Sequence, residues 1–297
     1  MKRFRSNEIA WHLMLLPGML LLIAFSIIPM FGIVMAFQRF IPARGILGSA
    51  WVGLDNFRFL FDIPEGIQAI RNTLIIAVGK IVFGLFFSLV FALALNTVRT
   101  KFFKKASQTI VFLPFFISWA VLGYIYINVL DLRGPINNLI YMLGGERIFF
   151  MVSNTWFRTI LITTDVLRGL GYNTVIFIAA IVSVDPTSYE AAAIDGASKF
   201  QQLIHITLPG IKSTVILLST LSLGNVLNAG FEQVFIMYNP LVYETGDIID
   251  TYVYRIGLVQ SQFGLATAMG LFRSAVGFVL IIISYKLASR FAGYRIF

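Results

Sequence analysis

Residues 73–95 read TLIIAVGKIVFGLFFSLVFALAL, with one charge, Lys80, in the whole stretch. As a helix it spans the ~30 Å of a bilayer's hydrocarbon. Hydrocarbon offers the backbone no hydrogen-bond partner, so a helix is the form such a stretch must take. Five more runs of this kind stand at Trp11–Phe37, Gln108–Leu130, Thr159–Val184, Thr214–Ile236 and Ala266–Ala288. The alternation of a membrane barrel strand is absent from them. The expectation is an all-α membrane protein of six transmembrane helices.

Composition agrees. Of 297 residues 58% are hydrophobic and only 12% charged, with 29 Phe and a mean hydropathy of +0.84. Soluble domains carry roughly twice that share of charge. An ordinary soluble enzyme, a disordered chain and a nucleic-acid-binding module are all excluded as readings. The net charge of +9 reflects the Lys and Arg that membrane proteins keep in their cytoplasmic loops.

Lys2, Arg3 and Arg5 precede the first run, as in a secretory signal, but the run far exceeds a signal's 7–15 apolar residues. It reads as an uncleaved helix that Pro17 and Pro29 bend or break. With the N-terminus in the cytoplasm, the inside segments hold twelve Lys and Arg against four acids. The outside segments hold eight against eight. Arg99, Lys101, Lys104 and Lys105, directly after a run, carry most of that bias. Both termini are therefore expected inside. Residues 1–10 form an N-terminal segment, 11–290 a single transmembrane domain and 291–297 a cytoplasmic tail. The long outer loop 38–72 should hold a short amphipathic helix.

There is no cysteine, and His12 and His205 are the only histidines. Disulfides, thiolate metal sites and His-rich metal sites are excluded. No paired carboxylates and no nucleophile–base set stand out, so no catalytic constellation is expected. Gly79-Lys80 is followed by Ile81 inside an apolar run and is not a phosphate loop. A stand-alone secondary transporter would need its own ion site and usually an inverted repeat, and neither is visible.

The most informative loop is 185–209, between the fourth and fifth runs. Pro186 ends the membrane helix there. Thr187 and Glu190 have capping-box spacing for a new short helix, which Gly196 can close with a positive-φ turn. Ser198 can cap a second short helix bearing Phe200, Leu203, Ile204 and Ile206, stopped by Pro209. Such an elbow can rest on lipid headgroups or dock in a protein groove.

The spacing Glu190-Ala191-Ala192-x3-Gly196-x9-Ile206-x-Leu208-Pro209 resembles the EAA loop of permease subunits of binding-protein-dependent ABC importers. Arg168-Gly-Leu-Gly-Tyr-Asn-Thr174 and Phe231-Glu-Gln-Val-Phe-Ile-Met-Tyr-Asn-Pro240 are similar to segments of the carbohydrate-type members. The resemblance runs from about Ile70 to the C-terminus. It departs from the family pattern at Glu232, where Asp is usual, and at Tyr-Asn-Pro in place of Gly-Gly-Pro. These departures bear on the substrate, not on the transporter class.

The resemblance implies the type I permease fold in a bacterial inner membrane. It makes Glu190, Ala191, Ala192, Asp195, Gly196, Leu208 and Pro209 the surface that meets an ATPase. ATP and Mg would then reside on that partner, with no cofactor in this chain. Its other implied partners are a second, related permease, a second ATP-binding subunit and an extracytoplasmic solute-binding protein. The cargo would be a sugar, an oligosaccharide more than a monosaccharide, with room for an acidic one. Glycerol-phosphate or another polar solute is the alternative.

Polar residues inside the runs are costly and call for a role. Asp165 and Arg168 can pair at i,i+3. Tyr172 and Asn173 follow Gly169 and Gly171, where the helix can loosen toward substrate. Asn225, Asn228 and Glu232 share a helical face. That face suits either sugar hydroxyls or interhelical hydrogen bonds. Lys80 and Arg273 read as snorkelling or packing charges. Gly264, Ala268 and Gly270 read as a small-residue packing stripe.

Overall fold

The computed structural model describes the backbone of residues 2–292 and the side chains of residues 10–290. The side chains of Lys2, Arg3 and Arg5, and residues 293–297 of the expected tail, lie outside the described residues. Among those described, five helices are long and apolar enough to cross a membrane: Ala10–Phe37, Pro64–Thr97, Asn154–Val182, Lys199–Leu223 and Phe263–Arg290. A further pair, Lys101–Phe116 and Trp119–Met142, is apolar enough to make up to a sixth span and is bent by 106° between its halves. The third apolar run is thus broken where a straight helix was expected. Pro114 and a short 3-10 turn, Leu113–Phe116, end its first half. The Ser118 side chain accepts from the Val121 amide to start the second.

The elements in chain order are α1 (Lys2–Leu22), β1 (Gln38–Arg39), β2 (Ala50–Trp51), α2 (Asp55–Asp62), α3 (Pro64–Thr97), α4 (Lys101–Phe112), α5 (Trp119–Leu130) and α6 (Pro135–Met142). There follow α7 (Asn154–Val182), α8 (Pro186–Ile194), α9 (Lys199–Leu223), α10 (Phe231–Met237), α11 (Ile249–Tyr254) and α12 (Phe263–Ala292). The chain divides into two compact units, residues 1–63 with 252–272, and residues 64–251 with 273–297.

In the first unit, α1 runs through Pro17 without a break, contrary to expectation. The irregularity comes later, as a π-turn at Ile23–Ile27 in which the Ile28 amide reaches back to the Ile23 carbonyl. The wider turn prepares for Pro29, which has no amide to donate. Within residues 38–72, β1 pairs antiparallel to β2, and α2 is the amphipathic helix expected there. Asn56 on α2 donates to the Ala36 and Gln38 carbonyls at 2.8 and 3.0 Å. Gly264 lies where a Cβ would come within 2.6 Å of the Gln38 carbonyl oxygen, so its small size lets two backbones meet. Gly270 meets nothing that a Cβ would crowd and is not part of that contact.

The second unit is organised on α3 and α7. Ile76, Phe157, Leu161, Val234 and Val242 are buried in its main cluster. Much of its remaining apolar surface is exposed, Phe86 and Val175 among it, as suits a chain whose solvent is lipid. Small residues set helix distances. Gly171 on α7 faces the α4 backbone, where a Cβ would come within 2.5 Å of the Phe112 Cα. This close approach explains Gly171. The helix is not loosened there, for α7 is continuous from Asn154 to Val182. Asn72 ties α3 to the loop after α10, its amide donating to the carbonyls of Glu244 and Asp247 at 3.1 and 2.9 Å. Arg158 donates in turn to the Asn72 side-chain oxygen at 2.6 Å.

Replacing Gly171 with Leu should force α4 and α7 apart. The expected cost is about 1–3 kcal/mol, read as a lowered thermal midpoint in detergent micelles. An unchanged midpoint would contradict the close approach.

Candidate translocation cleft and coupling loop

The fifth apolar run does not stay helical. α9 ends at Leu223, and α10 begins only at Phe231. Between them the chain turns on short bonds, Asn225 N to Ser222 O, Val226 N to Leu223 O and Asn228 N to Asn225 O. Gly224, two Asn and Gly230 make this stretch a poor helix. Gly230 stands at φ 87°, a left-handed position that favours glycine. Asn225, Asn228 and Glu232 therefore do not share a helical face, and that expectation is corrected. Glu232 is exposed on the first turn of α10, where a carboxylate suits the helix N-terminus.

Unwinding frees carbonyl oxygens from their helical donors. Two cations take them. Lys80 Nζ on α3 donates to the Ala229 carbonyl at 2.6 Å and also to the side-chain oxygen of Gln233. Arg273 Nε on α12 donates to the Leu227 carbonyl at 3.0 Å, while its Nη1 pairs with Asp250. Asp165 on α7 stands 3.4 Å from Lys80 Nζ. Lys80 is thus a buried, bonded ammonium, and neither it nor Arg273 snorkels. Gln233, fully buried, donates to the Leu161 carbonyl and the Thr164 hydroxyl, both at 2.8 Å.

The expected Asp165–Arg168 pair does not form, because Asp165 turns to Lys80. Arg168 instead donates to the carbonyls of Ile117 and Phe115 at 3.3 and 3.4 Å. Its guanidinium lies 5.0 Å from the Trp119 ring centroid and 5.9 Å from that of Phe115. These carbonyls belong to the break in the third run, so the same device recurs: a basic side chain ligates backbone oxygens that a broken helix leaves free.

A cleft of about 440 Å³ opens beside this network. Its walls carry Lys80, Asp165, Arg168, Asn173, Ser222, Asn225 and Asn228, with Trp119 as the aromatic member. Of the five candidates for a substrate path, Asn173, Asn225 and Asn228 meet in this cleft. Tyr172 does not line it, for its ring stacks on Phe115 at 4.6 Å. Glu232 is absent from it too. Gln233 had gone unnoticed; the available signal was an amide buried among apolar neighbours.

The loop 185–209 is the second site. α8 starts two residues earlier than the Thr187–Glu190 spacing suggested. Asp185 is its cap, accepting from the Thr187 amide at 3.0 Å and the Thr187 hydroxyl at 2.7 Å, with Pro186 at the first turn. Those bonds, the hydroxyl's first, hold the Asp185 carboxyl below the usual carboxylate range. A lowered pKa means the cap is intact at neutral pH and is lost as pH falls through it.

α8 closes in a Schellman motif: Ala197 N reaches Ala192 O at 2.8 Å, and Gly196 N reaches Ala193 O at 3.2 Å. Gly196 stands at φ 80°, as the spacing required. Ser198 and Gln201 form the reciprocal box that starts α9.

Pro209 does not stop this helix. A π-turn, Leu203–Thr207, shifts the register so that the chain runs on to Leu223. The Tyr189 phenol meets the Thr207 hydroxyl at 2.9 Å and ties α8 to that turn. Glu190, Ala191, Asp195, Gly196 and Pro209 are exposed, while Ala192 and Leu208 are half-buried. Ile194, 87% exposed, and Phe200, 68% exposed, stand out as unburied apolar side chains on the elbow. Ile194 went unremarked because the alanine-rich helix around it concealed its position on the outer face.

A set of membrane-length helices, a polar cleft at a helix break, and a small-residue elbow define the membrane subunit of a transporter. The chain belongs to the family of binding-protein-dependent transport system inner membrane components, whose pattern matches residues 80–293. It is 42% identical over 281 residues to the polygalacturonan/rhamnogalacturonan transport system permease protein YteP of Bacillus subtilis (strain 168). That match covers 94% of this chain and 88% of the relative. It is 40% identical over 283 residues to protein LplB of the same organism, covering the same shares. Among solved structures it resembles a chain of a bacterial alginate ABC transporter in complex with an alginate pentasaccharide-bound periplasmic protein. The TM-score is 0.87 at 34% identity, over 98% of both chains. The protein is therefore a multi-pass, non-catalytic permease subunit with the type I ABC importer fold.

Gly230→Ala tests the geometry of the break. A Cβ there would stand 3.0 Å from Lys80 Nζ at a positive φ. The expected loss is about 1–2 kcal/mol, measured as a lowered thermal midpoint. Gly196→Val should leave insertion intact and abolish ATP hydrolysis coupled to transport, measured in the assembled complex. Coupling at the parental level would contradict the role given to the elbow.

Proposed function

We propose that this chain forms half of the membrane pathway of an ATP-driven importer for an acidic oligosaccharide. A solute-binding protein delivers the sugar from outside, and a second, related permease completes the pathway. ATP and Mg belong to two separate ATP-binding subunits. Both termini and the 185–209 elbow lie on the cytoplasmic side, in keeping with the Lys and Arg bias of the loops. In this reading α8 is the coupling helix. Ala191 and Ala192 permit close approach to the ATPase, and Glu190 offers it a carboxylate. Ile194 and Phe200 supply the apolar surface that a docking groove would bury. Closure of the ATPase favours the outward-open arrangement through contacts that differ between the two states.

One observation carries the substrate class. Among the described residues no carboxylate pairs with Arg168, a cation on the cleft wall held by carbonyl oxygens and ring faces. Asp165 balances Lys80, so the cleft keeps one uncompensated positive charge. A sugar carboxylate is its natural complement. The Asn amides serve hydroxyls. The names of the relatives agree, since polygalacturonan and alginate are acidic polysaccharides.

Arg168→Gln should lower uptake of an acidic oligosaccharide into proteoliposomes by about ten-fold, the weight of one charge-assisted hydrogen bond. Uptake of a neutral oligosaccharide of equal length should change by less than about two-fold on the same scale. Equal loss for both sugars would remove the acidic assignment.

A further inference from the structure

We propose that Lys80 and Arg273 are positioning residues for transport: together they clamp the unwound segment 224–230, and releasing either frees that segment to move. The inference rests on the reading that the cleft belongs to the translocation route.

The two cations come from different helices and act on carbonyls two residues apart, Ala229 for Lys80 and Leu227 for Arg273. Each has its own carboxylate, Asp165 on α7 and Asp250 on α11. Each charge thus does two things. It supplies the donor that a lipid-depth carbonyl lacks, and it ties the segment to helices outside the fifth run. Gln233 adds a third strand of the clamp, since it accepts from Lys80 and donates to α7. The segment also bears Asn225 and Asn228 on the cleft wall, so a shift of its backbone changes the cleft directly.

In the Lys80 pair the carboxylate is the open member. Asp165 is 35% exposed and Lys80 only 8%. The lysine therefore stays put while its counter-ion remains open to the cleft. Within this clamp Lys80 is the member nearest the substrate path and the one whose release should unlatch it.

The chain has no cysteine, so Val226→Cys places a single, nearly isosteric thiol in the segment. Val226 is 5% exposed, and the thiol should react slowly with a membrane-impermeant maleimide in the assembled importer. Adding Lys80→Gln should raise the labelling rate by about ten-fold, as expected for one lost charge-assisted bond. Lys80→Arg should restore it. In the same complexes, without the Val226→Cys change, Lys80→Gln should lower the stimulation of ATP hydrolysis by the binding protein by a similar factor. A merely structural role would reduce the yield of complex and leave that ratio unchanged. If Lys80→Gln does not assemble, Asp165→Asn keeps the fold and should raise labelling by about three-fold, a partial loss on the same scale. Labelling at the parental rate in whichever of these variants assembles overturns the proposal. Thiol labelling needs no sugar, so a wrong substrate class would leave its outcome untouched.

Discussion

A carbonyl oxygen at the depth of the hydrocarbon must find a donor inside the protein, and a helix that stops being a helix creates several such oxygens at once. An unsatisfied polar group there costs several kcal/mol. A lone cation at the same depth is costly as well. In this permease the two problems solve each other. Lys80 and Arg273 are ligated by the carbonyls of the broken fifth run, and Arg168 by those of the broken third. Removing either partner leaves the other exposed, so breaks and charges persist together.

The elbow at 185–209 follows a different physical rule. It lies where backbone groups can be met by short-range caps, and it uses them fully: an Asp cap, a Schellman close, and a Ser–Gln box. Such local bonding makes the elbow stiff without a core beneath it. The continuous α9 then joins it to the unwound segment beside the cleft. That helix ends at Leu223, where the regular structure gives way to the unwound segment.

Much of this could be read from the residues. The apolar runs, the need for helices, the positive-φ glycine at 196 and the Ser198 cap depend on local chemistry and on length alone. The path of polar side chains could not be read in the same way. Asp165 and Arg168 looked like a pair because they are neighbours on one helix. Each found a better partner across space, and only tertiary structure reveals that Lys80 waits on α3. Likewise Asn225, Asn228 and Glu232 have helical spacing, yet Gly224 and Gly230 unwind the turn between them. Pro209 seemed a stop signal, but a π-turn absorbed it, and the same solution appears ahead of Pro29. Gln233, silent in the sequence, joins Lys80 on α3 to Leu161 and Thr164 on α7.

The most direct test is a solid-state NMR distance between the Lys80 side-chain nitrogen and the Ala229 carbonyl carbon, in selectively labelled protein in lipid bilayers. Strong dipolar coupling, matching the 2.6 Å bond from Lys80 Nζ to the Ala229 oxygen, is expected. No detectable coupling, with helical carbonyl shifts through 224–230, would contradict it and show a fifth run that needs no clamp.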